Sequence, residues 1–265
     1  MKKIILSIVG IALLAGASGA RTPSWLLFSG NTEAMAMGDV SITAPMLASR
    51  QFSLDASYIR IASSGEANNE FAASTFFAAG RKAGVNLMLR GSKDLMAGGG
   101  LTFVFGDVLY ADATVKYMKL SDYDGGSGKV FCADVGLSYN EGGFTAGLKA
   151  SNIGKHLPSN VKAGLSYSFN ATLTHRFVLA ADAGFYIPQA FRAVTASGGI
   201  EYSYSGWIFA RGGYHYSSAP ETIPSFAGAG VGVRMRGIGV NATYVFAPQK
   251  GPIKNAIFCG LSFDI

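Results

Sequence analysis

The sequence predicts an all-β protein that closes into an antiparallel transmembrane barrel of about fourteen strands. Only 14% of its 265 residues are charged, whereas soluble domains carry about 25%. Beyond residue 20 there is no apolar run of the roughly 20 residues that a membrane-spanning helix needs. Apolar residues instead alternate with small or polar ones in segments separated by turn residues, which is the pattern of strands with one lipid-facing side.

Residues 1–20 have the features of a secretory signal peptide. Lys2 and Lys3 are followed by an apolar stretch and by the small residues "AGASGA", so we expect cleavage after Ala20. The apolar stretch is too short for the alternative, a retained anchor helix. Removing both lysines lowers the net charge from +6 to +4, a surplus too small to indicate a nucleic-acid partner.

Residues 21–51 are predicted to plug the barrel lumen. The stretch "RTPSWLLFSGNTEAMAMGDVSITAPMLAS" is too apolar for a free periplasmic tail and lacks the alternation of a membrane strand. Leu27, Met35 and Met37 are its expected internal contacts. A static plug and a hatch that moves are both compatible with this composition.

Residues 52–265 are predicted to form the barrel itself. Their strand-like segments lie near 53–61, 69–79, 82–91, 95–105, 108–120, 129–140, 143–153, 159–169, 174–187, 192–204, 208–217, 225–236, 238–247 and 255–265. An even number of strands is what closed bacterial barrels contain. A strand of about eleven residues tilted near 45° crosses the hydrocarbon layer.

The connections between these segments differ in length at the two ends of the barrel. Those after the second, fourth, sixth, tenth and twelfth segments are short: "GRK", "GD", "EGG", "SGW" and "RG". Connections after the odd segments are mostly longer and more polar. Outer-membrane barrels have short periplasmic turns and longer exterior loops, so we expect both termini in the periplasm. A soluble β-sandwich would leave this asymmetry unexplained.

The hairpin "GGIEYSYSGWIFARGGYHY" (198–216) shows how the two faces determine the register. Its apolar residues share one face only if Tyr204 pairs with Ile208 and residues 205–207 form the turn. Glu201 then lies opposite Arg211, and Ser197 lies opposite His215. The alternative two-residue turn would expose Arg211 to lipid at a cost of about 2–4 kcal/mol.

Several ionisable residues occupy positions predicted to face the lumen. A polar inner wall with paired or hydrated charges explains them, and a selectivity ring or ligand clamp for a small solute is the alternative. They are Asp55, Arg90, Asp112, Lys116, Asp134, Lys149, Asp182, Glu201, Arg211, His215, Arg234 and Arg236.

The sequence shows no motif for catalysis, cofactor binding or metal binding. None of the three histidines belongs to a recognisable arrangement with a serine and a carboxylate. Asp122 and Asp124 lack the spacing of a calcium loop. Cys132 and Cys259 lie in strand-like segments far apart in sequence, so we expect two free, buried thiols. We therefore expect a protein that is not an enzyme.

Three stretches resemble the PorV and PorQ proteins. "EAMAMGDVSITA" is similar to the segment that opens these proteins, and "GLKASNIGKHLPSNVKAGLSYSF" is similar to their mid-barrel signature, with Asn152, Gly154 and Leu157–Pro158. The hairpin at 198–216 resembles their late hairpin. The chain departs from the family in its reduced exterior loops.

This resemblance implies a FadL-like barrel of fourteen strands in the outer membrane of a member of the Bacteroidota. It also implies a docking or maturation role in type IX secretion, with C-terminal signal domains of secreted cargo and other secretion components as partners besides the outer-membrane lipid. The alternative is a FadL-like conduit for hydrophobic small molecules, which the apolar N-terminal segment favours.

Overall fold

The computed structural model of the chain describes residues 27–42, 48, 50–62, 67–123, 126–154, 157–187, 193–220, 222–247, 253 and 255–265. The predicted signal peptide and residues 21–26, 43–47 and 49 of the predicted plug lie outside these ranges. Residues 27–42, the described part of the N-terminal segment, contain one short helix, α1 (Thr32–Ala36). No helix in the described ranges has the length and hydropathy needed to cross a membrane.

Fourteen antiparallel strands follow α1 and close into a barrel, because β1 pairs with both β2 and β14. Closure leaves no unpaired strand edge, which a lipid environment would penalise. The predicted fold class is confirmed, with strand ends shifted by a few residues. The strands are β1 (Phe52–Ala62), β2 (Ala67–Ala78), β3 (Ala83–Gly91), β4 (Leu95–Phe105), β5 (Leu109–Tyr123), β6 (Gly126–Glu141), β7 (Phe144–Ile153), β8 (Ser159–Asn170), β9 (His175–Ile187), β10 (Val194–Tyr204), β11 (Ile208–Ser217), β12 (Phe226–Met235), β13 (Ile238–Phe246) and β14 (Ala256–Asp264).

The outer surface of the barrel is apolar. In β6 the side chain of Phe131 is 66% exposed, whereas that of the next residue, Cys132, is 4% exposed. Successive side chains of a strand point to opposite faces, so the outward positions form a continuous hydrophobic belt. Other members of this belt are Leu101, Val115, Leu165, Val231 and Leu261. Cys259 belongs to this outer face, and the expectation that it is buried is wrong.

The short connections reverse the chain within a few residues. Gly106 and Asp107 both have positive φ, as do Arg236 and Gly237, which is the geometry of the tightest hairpin turns. One predicted position is wrong. Strand β12 ends at Met235, so Arg236 lies exposed in a turn and not on the inner wall.

The inner face becomes apolar towards the end of the barrel with the longer connections. In β1, Asp55 and Ser57 are followed on the same face by Ile59 and Ile61, which are almost completely buried. These isoleucines belong to a cluster that also includes Leu27, Phe28, Met35, Tyr186, Ala193, Ile223, Phe226, Val245, Ala247, Ile253, Ala256 and Phe258. The expectation of a polar lumen therefore holds only for the middle and the opposite end.

Candidate functional site in the barrel lumen

Residues 27–42 lie inside the barrel and begin with a capped helix. The Asn31 side chain accepts hydrogen bonds from the backbone amides of Glu33 and Ala34, at 2.8 and 2.9 Å, and so satisfies free amides at the start of α1. The backbone of the helix is also tied to the wall, because Thr243 Oγ1 donates to the Thr32 carbonyl at 2.8 Å. The three predicted plug residues, Leu27, Met35 and Met37, are all buried.

A row of glycines receives this segment on the β10–β12 side of the lumen. Gly199, Gly213 and Gly228 are aligned across three neighbouring strands. A β-carbon on any of them would overlap the backbone of Met35 or Met37. The row therefore forms a flat surface on which the N-terminal segment packs backbone to backbone. Because the segment lies on this side of the lumen, space remains beside β1–β8.

Ion pairs hold the same segment at the end with the short turns. Glu33 contacts Arg211 at 3.3 Å and Arg234 at 3.5 Å. Arg211 also donates from Nε to Glu201 at 2.6 Å and from Nη1 to Asn241 at 2.9 Å. Glu201 and Arg211 are direct cross-strand partners, so the predicted register of the hairpin is confirmed.

His215 pairs with Ser197 as the same register predicts. The Ser197 hydroxyl and His215 Nδ1 are 2.9 Å apart, and the histidine is 1% exposed. The rings of Phe28 and Phe226 pack against the imidazole at centroid distances of 5.9 and 5.1 Å. Ser197 and His215 are both buried, and their hydrogen bond connects β10 with β11 on the inner wall.

A second group of charges lies on the opposite wall, at a bulge between β6 and β7. Lys116 Nζ contacts Asp134 Oδ1 at 2.6 Å and also donates to the Asn152 side chain. Asn152 has a positive φ, and its backbone amide donates to Asp134 Oδ1 at 2.8 Å. The side chain of Asp134 thus replaces a ladder hydrogen bond that the bulge removes.

Two further ion pairs lie within the wall, and one member of each also makes hydrogen bonds with the N-terminal segment. Arg90 binds Glu70 at 3.1 Å and the carbonyl of Phe28 at 2.6 Å. Asp182 accepts hydrogen bonds from the backbone amide and the hydroxyl of Ser41, at 2.6 and 2.9 Å, and lies 3.7 Å from Lys162. The segment is therefore anchored to the wall at several points along its length.

A cavity of about 450 Å³ remains between the segment and the wall, a volume within the usual range of ligand pockets. Its apolar lining comes from both sides and includes Leu27, Phe28, Val40, Met88 and Met96. Its charged lining consists of Asp39, Asp55, Arg90, Lys116, Asp134, Lys149 and Lys162.

The predicted lumen residues other than Arg236 occupy inward positions, but they do not form one ring. Arg90, Lys116, Asp134 and Lys149 border the cavity, whereas Glu201, Arg211 and Arg234 contact the N-terminal segment or its neighbours. Asp112 faces inward beside Gly136. Sequence reasoning missed Asp39, Glu70, Asn152, Lys162 and Asn241. Lys162 and Glu70 share the inward parity of their strands, and this signal could have identified them.

The described residues contain no group of three or more His, Cys, Asp or Glu side chains suited to a metal ion. Both cysteines are free. The burial of the Asp39 carboxyl raises its pKa above the ordinary value, against the opposing effects of Lys162 and of the Ser29 amide.

Comparison with known proteins shows the fold. No family model matches the chain, and no curated protein matches it in sequence. Among solved structures, it is similar to the toluene transporter TbuX of Ralstonia pickettii (12% identity, 91% of this chain and 98% of that one, TM-score 0.62). It is also similar to the monoaromatic hydrocarbon channel CymD (10% identity, 91% and 98%, TM-score 0.62) and to the Acinetobacter baumannii outer membrane protein Omp33 (12% identity, 82% and 98%, TM-score 0.58). The barrel is FadL-like, and none of these three is described as a PorV or PorQ protein.

Proposed function

We propose that the protein is an outer-membrane conduit for small hydrophobic molecules, closed in this conformation by residues 27–42. The hydrophobic belt would face the outer-membrane lipid, and both termini would lie in the periplasm. The proposal assigns passage of a solute to the chain and no catalytic step.

The observation that carries this proposal is the apolar inner face at the end of the barrel with the longer connections. A water-filled pore is lined by polar side chains, but here Ile59, Ile61, Phe226 and Phe258 face inward and are buried. The cavity also has apolar side chains on both sides, from the N-terminal segment and from the barrel wall. An apolar solute would exchange water for these surfaces, and each 100 Å² of apolar surface removed from water contributes about 2.5 kcal/mol.

The fold supports the same proposal. TbuX is described as a toluene transporter and CymD as a monoaromatic hydrocarbon channel. At identities of 10–12% the similarity is one of fold, so the class of solute proposed for this chain depends on its own apolar lining.

Uptake of labelled toluene tests the proposal. The protein would be expressed in the outer membrane of a Gram-negative host without such a channel, and we expect faster entry than with an empty vector. Met88→Trp, which fills the cavity from β3, should abolish the increase. Leu87→Trp is the matched control, because Leu87 is 49% exposed on the outer face. Equal uptake with and without the protein would contradict the proposal.

A docking role in type IX secretion, as the resemblance to PorV and PorQ proteins implies, stays a prediction. Its test is a deletion strain in its native host, in which C-terminally tagged cargo should accumulate unprocessed in the periplasm. Normal surface display of that cargo would count against the role.

A further inference from the structure

Two lysines face each other on the outer surface of the barrel. Lys119 in β5 is the direct cross-strand partner of Lys129 in β6, and both side chains are exposed. Like charges placed directly opposite each other destabilise a sheet. An anion bound between the two ammonium groups would remove this repulsion and pair with both of them.

The lysine pair lies towards the end of the barrel with the longer connections, where β5 and β6 are joined. One rung closer to the middle of the barrel, the rings of Tyr117 and Phe131 are in contact at a centroid distance of 5.1 Å. Phe131 is 66% exposed and belongs to the hydrophobic belt. On these two strands, an aromatic rung of the belt is therefore followed directly by a cationic one.

This order of residues matches the boundary between the hydrocarbon layer and the lipid headgroups. Aromatic side chains of outer-membrane barrels are concentrated at that boundary. Two residues along a strand tilted near 45° correspond to a height of about 5 Å, and a lysine side chain extends its ammonium group further towards water. Lys119 and Lys129 therefore reach the level of the headgroups, where anionic lipids carry their charge.

The surrounding surface is also basic. Among the residues whose side chains the structure describes, no carboxylate forms an ion pair with either lysine. Asp94, in the connection that leads to β4, accepts hydrogen bonds from the amide and the hydroxyl of Ser121, at 2.6 and 2.7 Å. The same connection contributes a further exposed cation, Lys93. Charge complementarity therefore favours an anionic partner at this position.

We propose that Lys119 and Lys129 bind a phosphate group of a lipid in the outer leaflet of the outer membrane. The acyl chains of this lipid would lie against Tyr117, Phe131 and the hydrophobic belt. The inference goes beyond the proposed function, because it concerns the outer surface of the barrel and no solute in the lumen.

Titration of the purified barrel in a nonionic detergent with two matched lipids tests the site. Diphosphorylated lipid A and its dephosphorylated form have the same acyl chains, and native mass spectrometry measures the bound fraction of each. We expect the phosphorylated form to bind more tightly. Lys119→Gln and Lys129→Gln should each weaken its binding about fivefold, and the double variant about 25-fold, which is the usual contribution of lysines beside anionic lipid.

Two further variants control for indirect effects. Lys82→Gln removes a lysine that is also exposed but lies in the connection between β2 and β3, at the opposite end of the barrel, and it should leave the affinity unchanged. Lys119→Arg combined with Lys129→Arg keeps both charges and should retain binding. Equal affinity of the wild type and the double glutamine variant for phosphorylated lipid A overturns the inference.

Thermal unfolding distinguishes a lipid site from a structural role of the lysines. Without phosphorylated lipid, Lys129→Gln should unfold at the same temperature as the wild type or at a higher one, because it removes a repulsion. With phosphorylated lipid A the wild type should be the more stable protein, because a ligand stabilises the folded state that binds it. An order of stability that the lipid does not change would contradict the site.

Inorganic phosphate is the third probe. It should have little effect at the concentration at which the lipid saturates the protein, because it makes no contact with the aromatic rung. Stabilisation by inorganic phosphate at that concentration, if it depends on the two lysines, would assign them to a free anion and overturn the lipid site. None of these measurements involves toluene uptake, so the failure of this inference and the failure of the proposed conduit are distinguishable.

Discussion

Gly213 of β11 lies directly under the backbone of Met37, so close that no β-carbon fits between them. Gly199 and Gly228 continue this contact on the neighbouring strands. The placement of the N-terminal segment thus depends on residues that have no side chain, and this placement can be tested by adding one.

Gly213→Ala should displace the N-terminal segment. The added methyl group meets main-chain atoms, which cannot rotate away, and overpacking of this kind costs about 1–3 kcal/mol. Limited proteolysis should then cut within residues 27–42 faster than in the wild-type protein. Gly212→Ala is the control, because a β-carbon there meets nothing within 4 Å. Equal cleavage of both variants would show that the segment does not rest on this row.

Glu33→Gln should loosen the same segment through its charge. The variant loses the contacts of Glu33 with Arg211 and Arg234, although Arg211 keeps Glu201. Because Glu33 is partly exposed, we expect a loss of about 1 kcal/mol. The difference from the wild type in protease susceptibility should shrink at high salt, which screens such pairs. A difference independent of salt would contradict an electrostatic role.

The pair of Arg90 and Glu70 should show strong coupling. Both side chains are less than one tenth exposed, so Arg90→Met leaves a buried carboxylate without its counter-ion and should cost about 3–5 kcal/mol. Glu70→Gln added to this variant should recover part of the loss. Urea unfolding of the four proteins in a double-mutant cycle measures the coupling. Strictly additive effects would show that the two side chains do not stabilise each other.

The burial of Asp39 should make stability depend on pH. Because the pKa of Asp39 is raised in the folded protein, the folded state binds its proton more tightly than the unfolded state does. Its contribution to stability is therefore greatest below the ordinary carboxyl pKa and is lost as the pH rises through that value towards the folded-state pKa. Asp39→Asn keeps an acceptor for the Ser29 amide and tolerates the positive φ.

The unfolding free energies of the wild type and of Asp39→Asn, measured in detergent from acidic to neutral pH, test this prediction. The wild type should lose stability relative to the variant as the pH rises. A constant difference over the whole range would mean that the pKa of Asp39 is the same in the folded and unfolded states.

The local features of the barrel could be predicted because they depend on neighbours in sequence. Alternation places Phe131 outside and Cys132 inside, since each strand has only two faces. The pairing of Glu201 with Arg211 follows from one three-residue turn. Arg236 was placed wrongly because its alternation was followed one residue past the strand, although the "RG" connection already indicated a turn there, where Arg236 has a positive φ.

The sequence by itself determined the strands, their number and their two faces, because each of these follows from the period of two and from turns of a few residues. Only the tertiary structure decided where residues 27–42 lie and which side chains line the cavity. The glycine row needs β10, β11 and β12 side by side, and the apolar cluster unites Ile59 with Phe258 across the closure of the barrel. Such contacts depend on strands brought together by closure, and no periodicity within one segment encodes them.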